Sequence, residues 1–168
     1  MTLMLIISVL LVASVMGVAI WRMKCLPDSI SATVFVFRHK WLWTVWIWAV
    51  SLLTLIPAID RLSHIGMEAL GFGSLACLVF CGAMPLIDKD NTDLHWVFGI
   101  SGCVLSQACV YFIHYESLWV WMLFPFFFLS SYIQPEGWLG KAMKGKGVLV
   151  AEVICYVCLV VSKLSTVS

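Results

Sequence analysis

The stretch TLMLIISVLLVASVMGVAIW, residues 2–21, decides the class of this protein, because it is twenty residues long and contains no charged side chain. A helix of about 20 residues crosses the ~30 Å hydrocarbon core of a bilayer. Five more apolar blocks follow, over residues 40–58, 65–87, 94–113, 117–134 and 147–165. The sequence therefore predicts an all-α polytopic membrane bundle of six transmembrane helices, which forms a single domain over residues 1–168.

Composition supports the same class. The chain is 62% hydrophobic and 11% charged, whereas soluble domains average about 25% charged residues. The net charge of +1 gives no indication of nucleic-acid binding. Six of the seven cysteines lie inside the predicted spans, which argues against the disulfide framework of a secreted domain.

The distribution of basic residues predicts the orientation of the helices. Eight of the ten Lys and Arg residues lie in the first, third and fifth connections, and only Arg61 and Lys163 lie on the opposite face. Short cytoplasmic loops are enriched in Lys and Arg. We therefore expect the odd-numbered connections to be cytoplasmic and both termini to be non-cytoplasmic.

Small residues recur at helical spacing on two of the predicted spans. Ala69 and Gly73 lie four residues apart on the third, and Gly99 and Gly102 lie on the fourth. Small residues let transmembrane helices approach each other closely. These four positions are predicted to pack helices together, either within the bundle or at the seam of a homo-oligomer.

Polar residues in or beside the spans are the candidates for chemistry, because ionisable side chains are costly in lipid. Ser29 lies in the turn-forming stretch 27–33 of the first connection. Asp93 and His95 begin the fourth span, and Glu152 lies in the second turn of the sixth. The predicted topology brings these four residues to one membrane face.

Two of the polar residues need partners inside the bundle. For Glu152, the candidates are Lys144, Lys146 and His95, since all lie toward the same face. Gln107, in the middle of the fourth span, is expected to form a hydrogen bond to another helix. The sequence contains no H-E-x-x-H, G-x-S-x-G or P-loop motif, so no motif indicates an enzyme.

Two segments carry a family resemblance, PDSIS at residues 27–31 and HWVFG at residues 95–99. They resemble the P-x-I-S-D and H-x-x-G-A-like motifs of the DRAM/Frag/Sfk family of six-span membrane proteins, and related bacterial six-span proteins of unknown function. Ala32 stands in place of the first motif's Asp, and Ile100 in place of the second motif's Ala. Ser29, Ser31 and His95 are the matching positions.

The resemblance implies a compact helical membrane protein. Members of that family are sometimes tied to lipid handling, without an established reaction. It also implies a non-cytoplasmic location for the loop at residues 27–31. The distribution of Lys and Arg predicts the opposite side for this loop.

The leading functional hypothesis is a non-enzymatic protein that binds membrane lipids, or a protein partner, through the face built by connections one, three and five. Lys141, Lys144 and Lys146 are the expected headgroup contacts, since basic residues beside a bilayer attract anionic lipid by about 1 kcal/mol each. No cofactor is expected for this function.

Two alternatives belong to other classes. The first is an intramembrane, metal-assisted hydrolase acting on lipid, in which His95, Asp93, Ser29 and Glu152 are catalytic and His95 binds zinc. The second is a small transporter or oligomeric pore. It requires a polar path through the bundle, for which the spans offer little beyond Gln107 and Glu152.

Overall fold

The computed structural model describes residues 2–87, 92–127 and 144–164, and no strand occurs among them. The helices in chain order are α1 (Thr2–Met23), a first 3₁₀ helix (Ser31–Val36), α2 (Lys40–Ser63), α3 (Glu68–Ile87), α4 (Thr92–His114), a second 3₁₀ helix (Tyr115–Met122) and α5 (Gly147–Leu164). Within the described ranges, five helical segments are long and apolar enough to cross a membrane. The protein is therefore all-helical and has the make-up of an integral membrane protein.

The region of the predicted fifth span differs from a simple helix. The chain leaves α4 at His114, whose backbone is extended (φ −163°, ψ 79°), and enters the second 3₁₀ helix directly. It turns back along α4, since the Trp121 Nε1–H donates to Gln107 Oε1 at 3.0 Å. Residues 123–127 are α-helical. The remainder of the predicted span, residues 128–134, lies outside the described residues.

The second span was predicted to end too early. Its helix continues through Pro57 to Ser63, although the apolar block ends at residue 58. The additional turn contains Asp60 and Arg61. Hydropathy identifies only the apolar part of a helix that can lie in the hydrocarbon core, so it does not detect a polar final turn.

Glycines let α3 lie close to α2. A Cβ atom at Gly71 would lie 2.5 Å from Ile59 Cγ1, and one at Gly82 would lie 2.8 Å from Ile47 Cγ2. The Thr44 hydroxyl donates to the Gly82 carbonyl at 2.8 Å. A side chain at Gly71 or Gly82 would overlap with α2, so both glycines permit the close α2–α3 contact.

The four predicted packing residues lie at different depths. A Cβ atom at Gly102 would lie 2.8 Å from Leu78 Cδ2. At Gly73 it would lie 3.4 Å from Leu105 Cδ1, and at Gly99 3.5 Å from Cys81 Sγ. Ala69 is exposed. The three glycines thus lie between α3 and α4.

A polar network joins three helices in the interior. Ser8 Oγ on α1 lies 3.0 Å from Thr54 Oγ1 on α2 and 2.7 Å from the Tyr156 hydroxyl on α5. Leu55, Val110, Ile154 and four other buried residues form the main apolar cluster beside it. The bundle interior therefore combines apolar packing with satisfied hydroxyl groups, as buried polar groups require.

Candidate functional site

The loop at residues 27–31 has a defined shape because its side chains hydrogen-bond to its own backbone. Ser29 Oγ accepts the Ala32 N–H at 2.9 Å and lies 2.9 Å from Ser31 Oγ. The Thr33 hydroxyl donates to the Ile30 carbonyl at 2.6 Å. Ser and Thr favour such local bonds, which here begin the first 3₁₀ helix.

This loop is held against the start of α5. Glu152 Oε2 accepts the Ile30 N–H at 2.5 Å, and Lys146 Nζ forms an ion pair with Asp28 Oδ1. The expected partners of Glu152 were Lys144, Lys146 and His95, and this expectation was wrong. A backbone N–H bonds to one oxygen of the carboxylate instead, because the loop packs against the start of α5.

His95 occupies the first turn of α4 and points toward α3. Its Nδ1 lies 3.1 Å from the Cys81 carbonyl, and the ring packs against Trp43 with centroids 6.3 Å apart. A carbonyl oxygen can only accept, so Nδ1 carries the proton in this arrangement. Nε2 is then the acceptor in the neutral ring, and Cys81 Sγ lies 3.8 Å from it.

A cavity of about 500 Å³ lies between α4 and α5. Ser31, His95 and Glu152 line it, so the topology does bring the polar loop, the start of α4 and the start of α5 to one place. The rest of the wall is largely apolar or weakly polar and comprises Cys81, Trp96, Gly99, Ile100, Cys103, Val104, Gln107, Trp121, Val148, Ala151 and Cys155.

The far end of the cavity is closed by a hydrogen-bonded amide. Gln107 accepts from Trp121 Nε1, and its Nε2 donates to the Cys155 carbonyl at 3.1 Å. The predicted interhelical hydrogen bond of Gln107 is thus present. From His95 to Gln107 the helix rises by about 18 Å, at 1.5 Å per residue. The cavity is therefore long enough to hold an extended chain along α4.

One side of the cavity lies at the outer surface of the bundle. Ile100 and Val104 line it, yet they are 56% and 62% exposed. Trp96 at the same edge is 47% exposed. In an integral membrane protein an apolar surface of this kind faces lipid tails, which are as apolar as Leu. The cavity is open toward the surroundings of α4.

A second, smaller cavity of about 140 Å³ lies deeper in the bundle. It shares six wall residues with the larger one: Ser31, Cys81, Gly99, Cys103, Glu152 and Cys155. Trp43 and Trp46 form aromatic parts of its wall, and Ser51, Thr54 and Tyr156 supply hydroxyl groups. Glu152 therefore borders both spaces.

The other predicted site residues lie apart from the cavities. Asp93 is exposed on the first turn of α4, and Ser29 is buried and touches the cavity only through Ser31. Lys144 is exposed just before α5. The side chain of Lys146 is only 14% exposed, and its ammonium group pairs with Asp28. Lys141 lies outside the described residues.

The described residues contain no group of three His, Cys, Asp or Glu side chains placed to hold a metal ion. Within the same ranges, Ser31, His95 and Glu152 form no hydrogen bonds with one another, since each is bonded elsewhere. The three polar side chains thus line one cavity, but they are not joined by hydrogen bonds as the residues of a catalytic triad are.

Sequence reasoning missed several cavity residues. Cys81, Cys103 and Trp121 line the larger cavity, yet none of them was predicted to belong to a site. Small residues also occur where transmembrane helices pack together, and tryptophan also occurs at the headgroup level. No signal in the sequence therefore separates a cavity wall from a helix contact. Comparisons of the chain with protein-family models, curated proteins and solved structures give no match.

Proposed function

We propose that the protein is a non-enzymatic membrane protein that binds one lipid chain in the α4–α5 cavity. The polar end of the lipid lies at Ser31, His95 and Glu152. The observation that carries this proposal is the distribution of wall residues: ionisable groups lie at the end where α4 and α5 begin, and apolar side chains line the remaining length. Ligand pockets have volumes of about 300–1,000 Å³ and similar walls.

The exposure of Ile100 and Val104 supports a route from the bilayer. A chain that enters between α4 and α5 exchanges lipid contacts for protein contacts and never crosses water. The polar end then needs hydrogen-bond partners inside the bundle, and Ser31, His95 Nε2 and Glu152 offer them. The lipid-handling members of the family that the sequence resembles are in keeping with this function.

The proposal includes six spans, with residues 117–134 as the fifth, and non-cytoplasmic termini. The contacts Lys146–Asp28 and Glu152–Ile30 support it, since they bring connections one and five to the same end of the bundle. In this arrangement exposed Lys144 lies at the cytoplasmic surface. It is available to anionic headgroups there, whereas Lys146 is engaged by Asp28.

Replacing Ala151 with tryptophan is expected to block lipid binding. Ala151 lines the larger cavity on α5, and an indole there takes up the space of the chain. A long-chain alcohol bearing a photoactivatable diazirine is added to the full-length protein in detergent, and labelled peptides are quantified. Wild-type protein is labelled on α4 and α5, and Ala151→Trp lowers labelling by about tenfold, which corresponds to 1.4 kcal/mol of binding free energy.

Val153→Trp is the matched control. Val153 lies on the same helix but is exposed and does not line the larger cavity, so the same bulk is added outside the site. The proposal is wrong if Ala151→Trp, shown by size-exclusion chromatography to be folded, is labelled on the same peptides as strongly as Val153→Trp.

A lipid hydrolase is the second candidate, and the specific observation in its favour is that Ser31, His95 and Glu152 border one cavity. This changes the expected nucleophile from Ser29 to Ser31. Release of fatty acid from a solubilised phospholipid, lost in Ser31→Ala and His95→Ala, would favour this candidate over binding alone.

A further inference from the structure

The charge of the two cavities restricts the kind of lipid that fits them. Their walls contain one carboxyl group, Glu152, and the imidazole of His95, and the described wall residues include no Lys or Arg. An ionisable side chain at membrane depth usually pairs with an opposite charge or with backbone groups. Glu152 has a backbone partner, the Ile30 N–H, but no Lys or Arg among the described wall residues.

The hydrogen bonding of Glu152 leaves one oxygen available. Oε2 accepts the Ile30 N–H, and no other hydrogen bond from a described residue reaches this carboxyl group. Lys146, which directly precedes α5, is paired with Asp28. The carboxyl group borders both cavities, so its remaining oxygen is accessible to a ligand in either.

The smaller cavity is suited to a polar headgroup. Its volume of about 140 Å³ is roughly ten times the 10–15 Å³ that a single water molecule requires. Trp43 and Trp46 contribute ring surfaces, which attract cations through their π-electrons. Hydroxyl groups of Ser51 and Tyr156 lie in the same wall. A small cationic group thus meets a carboxyl group, aromatic rings and hydroxyls.

We infer that the ligand is a single-chain amphiphile with an amine headgroup, which places its ammonium group against Glu152 and its chain in the larger cavity. This inference rests on the proposed lipid-binding function and names the class of lipid. An anionic headgroup is disfavoured at this position, because it would face the carboxyl group without a cation among the described wall residues.

The test compares three probes of equal chain length: hexadecylamine, hexadecanol and hexadecanoic acid. Each competes with the photoactivatable alcohol for the full-length protein in a neutral detergent. We expect hexadecylamine to compete at a concentration about tenfold lower than hexadecanol, as a hydrogen bond between charged groups warrants, and hexadecanoic acid to compete most weakly.

Glu152→Gln tests the role of the carboxyl group. Glutamine keeps an acceptor for the Ile30 N–H but carries no charge, so the amine should lose its tenfold advantage while hexadecanol competes as before. Glu116→Gln is the matched control, since Glu116, in the second 3₁₀ helix, pairs with His114 at the end of α4 and borders neither cavity.

The outcomes separate this inference from the function on which it rests. Equal competition by hexadecylamine and hexadecanol in wild-type protein overturns the amine assignment but does not contradict lipid binding. This comparison uses wild-type protein alone, so it does not depend on the folding of any variant. A retained amine preference in Glu152→Gln also overturns it. If wild-type protein is not labelled by the alcohol and none of the three probes binds, the proposed function itself fails.

Discussion

Gly82→Leu is expected to lower the thermal stability of the purified protein strongly. A Cβ atom at Gly82 would lie 2.8 Å from Ile47 Cγ2 and 3.3 Å from Trp48 Cδ1. A leucine forces α2 and α3 apart and weakens the hydrogen bond from Thr44 to the Gly82 carbonyl. Overpacking of this kind costs about 3 kcal/mol, which lowers the midpoint of unfolding by roughly 6–12 °C.

Gly17→Leu is the matched control for this substitution. Gly17 is exposed on α1, and a Cβ atom there meets nothing within 4 Å. We expect its unfolding midpoint in the same detergent to equal that of the wild type or to exceed it, because leucine favours the helix more than glycine does. Equal midpoints for Gly82→Leu and the wild type would show that α2 and α3 are not closely packed at this glycine.

Cys25 is expected to react with a membrane-impermeant maleimide only from the cytoplasmic side. It is the one exposed cysteine of the seven, and it lies in the first connection, whereas the other six lie within helices. The excess of Lys and Arg in the odd connections predicts that this loop is cytoplasmic. Inverted membrane vesicles should therefore be labelled, and intact cells should not.

A cysteine at the opposite end supplies the comparison. In a Cys25→Ser background, His64→Cys introduces a thiol at an exposed position between α2 and α3, and it should be labelled on intact cells. Labelling of Cys25 on intact cells, with His64→Cys protected, would reverse the orientation. That result would agree with the side that the family resemblance implies for the loop at residues 27–31.

The helices α1 to α5 could be predicted because each lies in a continuous apolar run of about bilayer length, whereas the 3₁₀ helix Tyr115–Met122 was not predicted. The starts of α4 and α5 were expected within two residues of their positions, at residues 94 and 147 against Thr92 and Gly147. The topology also predicted that Ser29, Asp93, His95 and Glu152 share one membrane face, because the odd connections meet at one end. Of these four, only His95 and Glu152 line the larger cavity, together with Ser31. Charge and hydropathy are properties of single segments, so they can be read from a sequence.

The contacts between segments could not be predicted in the same way. Tryptophan in a membrane protein is typical of the headgroup level, yet Trp43 is fully buried and Trp46 is 7% exposed. Only packing decides which tryptophan of a cluster faces inward. The Ile30 N–H as partner of Glu152 was missed for a similar reason: a backbone group carries no signature in the sequence.

The residues that line the cavities could not be predicted from the sequence either. Gly99 and Gly102 have the spacing of a packing face, but only Gly102 closes tightly on Leu78, while Gly99 borders both cavities. The difference depends on where α5 lies relative to α4. One hydrogen bond between these two helices runs from Gln107 Nε2 on α4 to the Cys155 carbonyl on α5.

The central claim, that the α4–α5 cavity holds one lipid, is tested most directly by native mass spectrometry of the protein purified in a mild detergent. We predict that wild-type protein and Val153→Trp carry the mass of one bound single-chain lipid and that Ala151→Trp carries none. Wild-type protein without any lipid adduct, or Ala151→Trp with the same adduct as the wild type, would contradict this claim.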